Sequence, residues 1–542
     1  MPEHFSPWFA FHAEVPAFIA VIAVLGIWIR SRESRVKLPS AIWLMVALSI
    51  SATIQWLCGV LVYGGDALLV STYFLLFAGA WLWGHQWASG QQKANFLTHV
   101  SYFLLSSGLF VAFQVFAQWL GVEGAFGGWV IDGVFGGRPR GNIGQPNHAA
   151  TMLLMGVVST VLLRVYARIG AVTMWSAAIF LGASIVLTQS RTALLSAAVL
   201  VCLFVCISRK DTNQYLMRRA VLVWLTLLYM GSWLLPISDS GIHGGALPLS
   251  HLATTGTRPL LWKQLILALF EQPWTGWGWL QIATAQQSGA LVAPGFEQIN
   301  YAHNIVLELF LAVGIPIACT VVGVILYWGW RRFPLFRKSP ASMQAFLLLL
   351  PFCVHSMLEM PYAYAYFLVV AGLLMGAIDV WTMPISGVQV SLPKKVVAFS
   401  VIAFGAVLIA TGYEYTLVEE DFRIQRFENR LLGVTPPDYA KPQLYLLTQL
   451  GDLLQAMRMR AAPNMKTIEV DLLVRVSKRY SWAPIQFRTA LALGLNGRPE
   501  EATQRLQVIK SLFTDDVYAE AKESLARLAQ SKYPELAKVV LP

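Results

Sequence analysis

The feature that most constrains this chain is a succession of apolar runs about as long as a bilayer is thick, separated by short basic clusters. A spanning helix needs roughly 20 mostly apolar residues. Runs of that kind occur near 15–30, 39–63, 66–86, 97–119, 147–168, 171–189, 192–208, 219–237, 303–330, 341–359, 361–382 and 396–414. Charged residues make up 13% of the chain, about half the usual share for soluble domains. The expected fold is therefore an all-α polytopic membrane protein with about twelve transmembrane helices, within a range of eleven to thirteen.

The clusters RSRESRVK (30–37), RKDTNQYLMRR (209–219), RRFPLFRK (331–338) and PKK (393–395) fall on one side if the spans alternate. By the positive-inside rule that side is the cytoplasm. The outer loops 120–146 and 238–302, and everything after about 415, then lie outside. A net charge of +11 is accounted for by these loops and does not point to nucleic acid. Residues 1–14 carry no basic leader, and no small-residue cleavage site follows the first run, so no cleaved signal peptide is expected. The five Cys all lie in apolar runs without a CxxC pair. They read as small hydrophobes, with neither a disulfide nor a metal site.

Two domains are expected: a bundle over 1–415 and an outer helical domain over 416–542. In the second, apolar spacing in LALGLNGRPEEATQRLQVIKSLF (491–513) is helical, with Gly-Arg-Pro as the break between two helices, as in TPR-like arrays. Within the 238–302 loop, TGTRPLLWKQLILALFEQPWTGWGW (255–279) reads as a short amphipathic helix lying at the membrane interface.

Ionisable and polar groups at membrane depth are costly, so they are candidates for function. GNIGQPNHAATMLL (141–154) sets Gln145, Pro146, Asn147 and His148 at the mouth of an apolar helix. Asn147 suits an N-cap, and His148 could do more than cap. TQSRTALL (188–195) puts Arg191 at a junction with almost no loop. Its guanidinium is either a snorkelling interfacial group or a phosphate fork. Arg258, with Trp262, Lys263 and PWTGWGW (273–279), could bind an anionic, partly lipidic ligand or be an ordinary basic loop. YAHNIVLELF (301–310) carries His303, Asn304 and Glu308; HSMLEMPYAYAYFL (355–368) carries His355, Glu359, Tyr362, Tyr364 and Tyr366. A His is the natural group for taking a proton near neutral pH. The sequence has no P-loop, GxGxxG, HExxH or GxSxG, so energy must come from an activated substrate or a gradient.

IGQPNHAA, TQSRTALL, RPLLWKQ with PWTGWGW, AHNIVLELFLAVGIP and HSMLEMPYAYAYFL occur in that order. Together they resemble the bacterial O-linked protein oligosaccharyltransferases, the pilin and protein glycosylation ligases, within the O-antigen ligase and Wzy-type polymerase superfamily. The resemblance implies a metal-independent, inverting glycosyltransferase of the bacterial inner membrane, without cofactors. Its donor would be a glycan on undecaprenyl pyrophosphate, moved en bloc to Ser or Thr of a periplasmic acceptor protein such as pilin. Its partners would be that donor, the acceptor and membrane lipid. His303 matches the family's essential histidine, Arg191 and Arg258 its pyrophosphate arginines, and Gln145 its GQ(P/R)N glutamine. Asn147, His148, Asn304, Glu308, His355 and Glu359 would support them. Met360 stands where many members have Tyr before the Pro, so Tyr362, Tyr364 or Tyr366 would serve instead. The opening PEHFSPWFAFHAEV resembles the loop after a first helix that members often carry. An O-antigen ligase acting on lipid A core, or a polymerase, shares the donor; a lipid-linked glycan transporter is more remote, because the candidates cluster at the outer face.

Overall fold

A computed structural model describes residues 7–30, 34–90, 95–132, 138–207, 212–234, 257–336, 339–382, 390–430, 432–433, 435 and 438–542. Parts of the basic clusters at 30–37, 209–219 and 331–338, and of the 238–302 loop, lie outside those residues. The chain is mostly helical. A helix stands at each of the twelve apolar runs: α1 Phe11–Trp28, α2 Ala41–Leu57, α3 Gly64–Ser89, α4 Phe96–Leu120, α5 Pro146–Val165, α6 Ala171–Thr188, α7 Arg191–Ile207, α8 Thr212–Leu234, α11 Ile305–Phe336, α12 Pro340–Ser356, α13 Ala365–Trp381 and α14 Lys394–Asn429. Between α8 and α11 lie α9 Arg258–Glu271 and α10 Ile282–Val292; after α14 come α15 Thr448–Arg458, α16 Thr467–Arg479, α17 Ala483–Leu495, α18 Pro499–Leu512 and α19 Asp515–Ser531. Among the described residues, seven helices are long and apolar enough to cross a membrane; α2, α7, α12 and α13 are apolar but shorter.

The chain divides into two compact units. The first holds residues 1–45, 76–254 and 326–401. Its helices pack through small residues, as membrane helices do when backbones must approach. A Cβ added at Gly376 of α13 would lie 2.1 Å from the Trp81 carbonyl oxygen of α3, and one at Gly84 would lie 2.1 Å from the Leu373 carbonyl oxygen. Polar ties in this unit gather at two opposite helix ends. At one end, β1 (Arg35–Leu38) pairs antiparallel with β2 (Val390–Pro393), Arg35 opposite Pro393. Gln86 Nε2 donates to the Lys37 carbonyl at 3.1 Å, and Arg332 pairs with buried Asp379. The basic stretches 30–37 and 393–395 therefore share one end, as alternating spans require. At the other end, the Ala365 N–H at the start of α13 donates to Glu14 Oε1 at 3.1 Å, and the starts of α5 and α7 meet the end of α12.

The second unit holds residues 46–75, 255–325 and 402–542. The short helix expected within 255–279 is α9, and α10 follows it, the two pressed together at Gly289. A Cβ there would lie 1.9 Å from the Gln264 carbonyl oxygen. Leu261, Leu265, Ala268 and Leu269 are buried in that contact with Ile282 and Ala285, while Leu260, Ile266 and Phe270 of α9 stay exposed. The glycines and tryptophans of PWTGWGW lock this loop to α11. The Trp277 N–H donates to the Leu311 carbonyl at 2.7 Å and the Ile315 N–H to the Pro273 carbonyl at 2.8 Å. α11 opens at Gly314 (φ 76°, ψ 169°) to allow it, a conformation that suits glycine. The Trp277 and Trp279 indoles donate to the Ala268 carbonyl (2.8 Å) and Ser51 Oγ (3.0 Å). In the tail, Gly497 (φ 78°) breaks α17 from α18 at the expected Gly-Arg-Pro. The tail also holds the loop: Gln287 Nε2 donates to the Lys478 carbonyl at 2.8 Å, and the Gly295 N–H to the Ser511 carbonyl at 2.8 Å. Cys58, in the turn after α2, and Cys202, Cys206, Cys319 and Cys353, within helices, are all exposed.

Candidate functional site

The residues singled out from the sequence fall into the two units, each a constellation of its own. In the second unit, His303 is the centre. It adopts φ 53°, a left-handed backbone that costs a non-glycine residue roughly 1–3 kcal/mol and persists only when its surroundings over-determine it. They do so from both sides. The Ala302 N–H donates to Glu308 Oε2 at 2.6 Å, and the Trp262 indole N–H donates to the Ala302 carbonyl at 2.9 Å. Asn304 Oδ1 then accepts from the N–H groups of Val306 (3.0 Å) and Leu307 (2.9 Å), capping α11. Glu308 and Asn304 thus hold the peptide that carries His303, and the imidazole is left half-buried. Arg258 opens α9 one turn before Trp262. Residues four apart share a helix face, so Arg258 stands on the face that meets the His303 loop. Trp262, counted in the sequence only as a flanking aromatic, is the bridge.

In the first unit, the mouth of α5 is built around Asn147. The expected cap moves by two residues: Gln145 is the N-cap, with φ −136° and ψ 129°, and Pro146 takes the first helical position. Proline has no N–H to lose there and its φ is already helical. Asn147, released from capping, binds across elements. Its Nδ2 donates to Glu359 Oε1 at 2.8 Å, and its Oδ1 accepts from Ser190 Oγ at 2.8 Å and from Arg138 Nη2 at 3.3 Å. Gln145 Nε2 donates to Glu359 Oε2 at 3.4 Å. The buried Gln145 Oε1 has no partner among the described residues. Ser190 caps α7, accepting from the Ala193 N–H at 3.2 Å, so half-buried Arg191 is the first residue of that helix. The turn before it is made by Gln189 at φ 51°. Arg138 Nε also donates to the Thr188 carbonyl at 2.8 Å, which ties the 120–146 loop to the α6–α7 junction. Arg138 was hidden in the sequence inside a glycine-rich loop; its only signal was a second arginine in RPR.

His148 and the tyrosines lie behind this mouth. His148 is fully buried, its ring 5.1 Å from His355 and 4.6 Å from Tyr364, both edge-on. His355 Nδ1 shares a 2.8 Å hydrogen bond with Thr151 Oγ1. Tyr364 packs 5.5 Å from Tyr366, whose buried hydroxyl has no hydrogen-bond partner among the described residues. Tyr362 is half-buried in the turn Pro361–Ala363. The arrangement gives the mouth a helix N-terminus, amide groups, a carboxylate and two arginines: groups that bind anions and hydroxyls. Among the described residues no cluster of three or more His, Cys, Asp or Glu could hold a metal ion.

Known proteins match the same stretches. Residues 139–163 match a family described as protein glycosylation ligase, 176–322 one described as O-antigen ligase, and 343–526 one described as virulence factor membrane-bound polymerase, C-terminal. The chain is 26% identical over 529 residues to a general O-oligosaccharyltransferase of Acinetobacter baylyi (strain ATCC 33305 / BD413 / ADP1), covering 95% of this chain and 90% of that protein. It is 28% identical over 265 residues to a ComP-specific O-oligosaccharyltransferase of the same strain, covering 48% of this chain and 47% of that one. The α5 mouth falls in the first match, and Arg191, Arg258 and His303 in the second. The resemblance drawn from the motifs is thus carried by nearly the whole chain.

Proposed function

We propose that this relative of the O-antigen ligases and protein glycosylation ligases is an O-linked oligosaccharyltransferase of the bacterial inner membrane. It takes a glycan from an undecaprenyl-pyrophosphate carrier and moves it en bloc to a Ser or Thr of a periplasmic protein such as pilin, with the site and the tail facing the periplasm. The observation that carries this reading is His303, held at a left-handed φ by Glu308, Trp262 and Asn304, with Arg258 on the helix face that meets its loop. Backbone strain kept in place by several bonds is a mark of functional positions. The near full-length likeness to a general O-oligosaccharyltransferase supports the same activity.

The donor is already activated, so the step needs charge stabilisation and one proton acceptor. The anomeric carbon–oxygen bond to pyrophosphate breaks as the bond to the acceptor hydroxyl oxygen forms, and in-line attack inverts the centre. His303 takes the hydroxyl proton, a role that contributes about 10²–10⁴-fold. Arg258 meets the charge that develops on the departing pyrophosphate, where a fixed cation acts without reorganisation. The resemblance gives Arg191 the same anion-binding role. In this reading Gln145 Oε1 accepts from a sugar hydroxyl.

Purified protein given carrier-linked glycan and either a pilin-like protein or a lipid A core acceptor tests the reading. Transfer to protein that is lost in His303→Ala, while the variant stays inserted and folded, supports it. Normal turnover by His303→Ala removes the proposed base, and transfer to the lipid alone makes the chain an O-antigen ligase.

A further inference from the structure

The helical tail contains a cavity of about 410 Å³ bounded by the end of α14, the α15 C-terminus and α17. About half of its wall is apolar and adaptable, formed by Met457, Met459, Phe487 and Leu491. Methionine-lined surfaces accommodate varied partners because the side chain is flexible and polarisable. Three guanidinium groups stand in the same wall: Arg458, Arg460 and Arg488. Arg458 is committed, paired with Asp421 at 2.7 Å and Glu428 at 2.9 Å. Neither of the other two has an ion-pair partner among the described residues. Arg488 is half-buried and only one hydrogen bond is seen from it, Nη1 to the Ala456 carbonyl at 2.6 Å; burial pushes its guanidinium below the usual range. Arg460 is exposed at the rim. Of the three arginines in the wall, only Arg458 is thus neutralised by carboxylates.

We propose that this cavity is a docking site for an acidic stretch of the acceptor polypeptide: a carboxylate between Arg460 and Arg488, with a neighbouring apolar side chain against the methionines. The identification of the occupant as an acceptor rests on the glycosyltransferase reading; the site itself does not. The geometry of α14 favours a soluble polypeptide over a lipid headgroup. That helix has 36 residues and is about 54 Å long at 1.5 Å per residue, against a hydrocarbon core of about 30 Å. Its apolar run ends near residue 414, and Asn429, at the cavity, lies about 22 Å further along. A headgroup would have to leave the membrane to reach it.

The test uses the full chain in nanodiscs without donor, so it does not depend on catalysis. The probe is a fluorescent hexapeptide with two glutamates beside a phenylalanine, compared with its glutamine counterpart and with vesicles containing anionic phospholipid. The acidic peptide should bind, and the glutamine peptide should bind several-fold more weakly. R460E, at an exposed position, should weaken the acidic peptide roughly tenfold by turning attraction into repulsion, and M459Q should weaken both peptides. In turnover, R460E should raise the KM for a protein acceptor and leave kcat unchanged. Equal binding of the acidic peptide by wild type and R460E overturns the proposal, as does displacement of the peptide by anionic vesicles, which would make the cavity a lipid site. Peptide binding that depends on Arg460, in a protein that transfers no glycan, would keep the docking site and discard the glycosyltransferase reading.

Discussion

Asp66 and Arg479 offer the sharpest test of how the second unit is held together. Asp66, in the first turn of α3, is fully buried; Arg479, the last residue of α16, keeps 15% of its side chain exposed. The guanidinium grips the carboxylate with two bonds, Nε at 2.8 Å and Nη2 at 3.1 Å. Gln281 Nε2 adds a third at 3.4 Å, and Tyr480 stacks its ring 5.2 Å from the Arg479 guanidinium carbon. Charges about 4 Å apart at an effective dielectric of about 20 attract by about 4 kcal/mol. The net worth of such a pair over an apolar substitute is small, because both charges were taken out of water. Removing one partner is different, since it strands the other charge and costs about 3–5 kcal/mol. Asp66→Asn and Arg479→Met should therefore each lower the thermal midpoint of the protein in detergent, followed by tryptophan fluorescence. The double variant should recover most of that loss, giving a coupling of about 2–4 kcal/mol. Two single variants that melt like wild type, or a double variant whose loss equals the sum of the singles, would refute the stranded-charge argument and reduce the pair to surface decoration.

Three further outcomes follow from other parts of the structure. Glu359→Ala strands the amides of Asn147 and Gln145 and should destabilise by about 2–4 kcal/mol, whereas Glu359→Gln keeps an acceptor and should lose less than half as much; equal losses would show that charge, not hydrogen bonding, is what Glu359 supplies. Gly289→Ala pushes a Cβ into the Gln264 backbone; α9 and α10 must separate, and transfer should fall together with thermal stability, a result checked by limited proteolysis of 258–302. Arg458 and Arg498 hold Glu428 and Glu501 below the usual carboxylate range through hydrogen bonds. A carboxylate depressed in the folded state stabilises above its unfolded pKa and loses that stability as pH falls through the folded one, so the tail should melt at constant temperature from pH 7 to about 5 and progressively lower below about 4.5. Both carboxylates are partly exposed, so each is worth under about 1 kcal/mol.

The parts of this fold that the sequence makes legible are those set by local periodicity. Twelve apolar runs became twelve helices because a backbone that cannot bond to lipid must bond to itself. Gly-Arg-Pro broke α17 from α18 because glycine and proline act at their own positions. What stayed hidden depends on pairing across long separations. Glu14 caps α13 from 351 residues away. The ribbon β1–β2 joins two four-residue segments more than 350 residues apart in sequence, too short to announce themselves by alternation. Asn147 read as a cap by residue type, yet Pro146 beside it claimed the first helical position and freed the amide for Glu359, Ser190 and Arg138. PWTGWGW read either as part of a ligand-binding patch or as an ordinary loop; its packing role stayed hidden, with Trp277 bonded to α9 and α11 and Trp279 to Ser51 of α2.

That packing gives the motif a structural role. The Trp262 bond ties α9 to Ala302 just ahead of His303, and the opened turn at Gly314 joins the loop after α9 to α11 beyond it. His303 is thereby set between two fixed points, so its strained φ cannot relax without undoing one of them. Arg258 belongs to the same rigid piece, because it shares α9 with Trp262. An aromatic that merely contacted substrate could be exchanged for another with a change in affinity. Trp262 acts through its indole N–H, so Trp262→Phe keeps the ring and loses the bond. Its effect should therefore appear at His303, in the rate of transfer more than in the binding of either substrate.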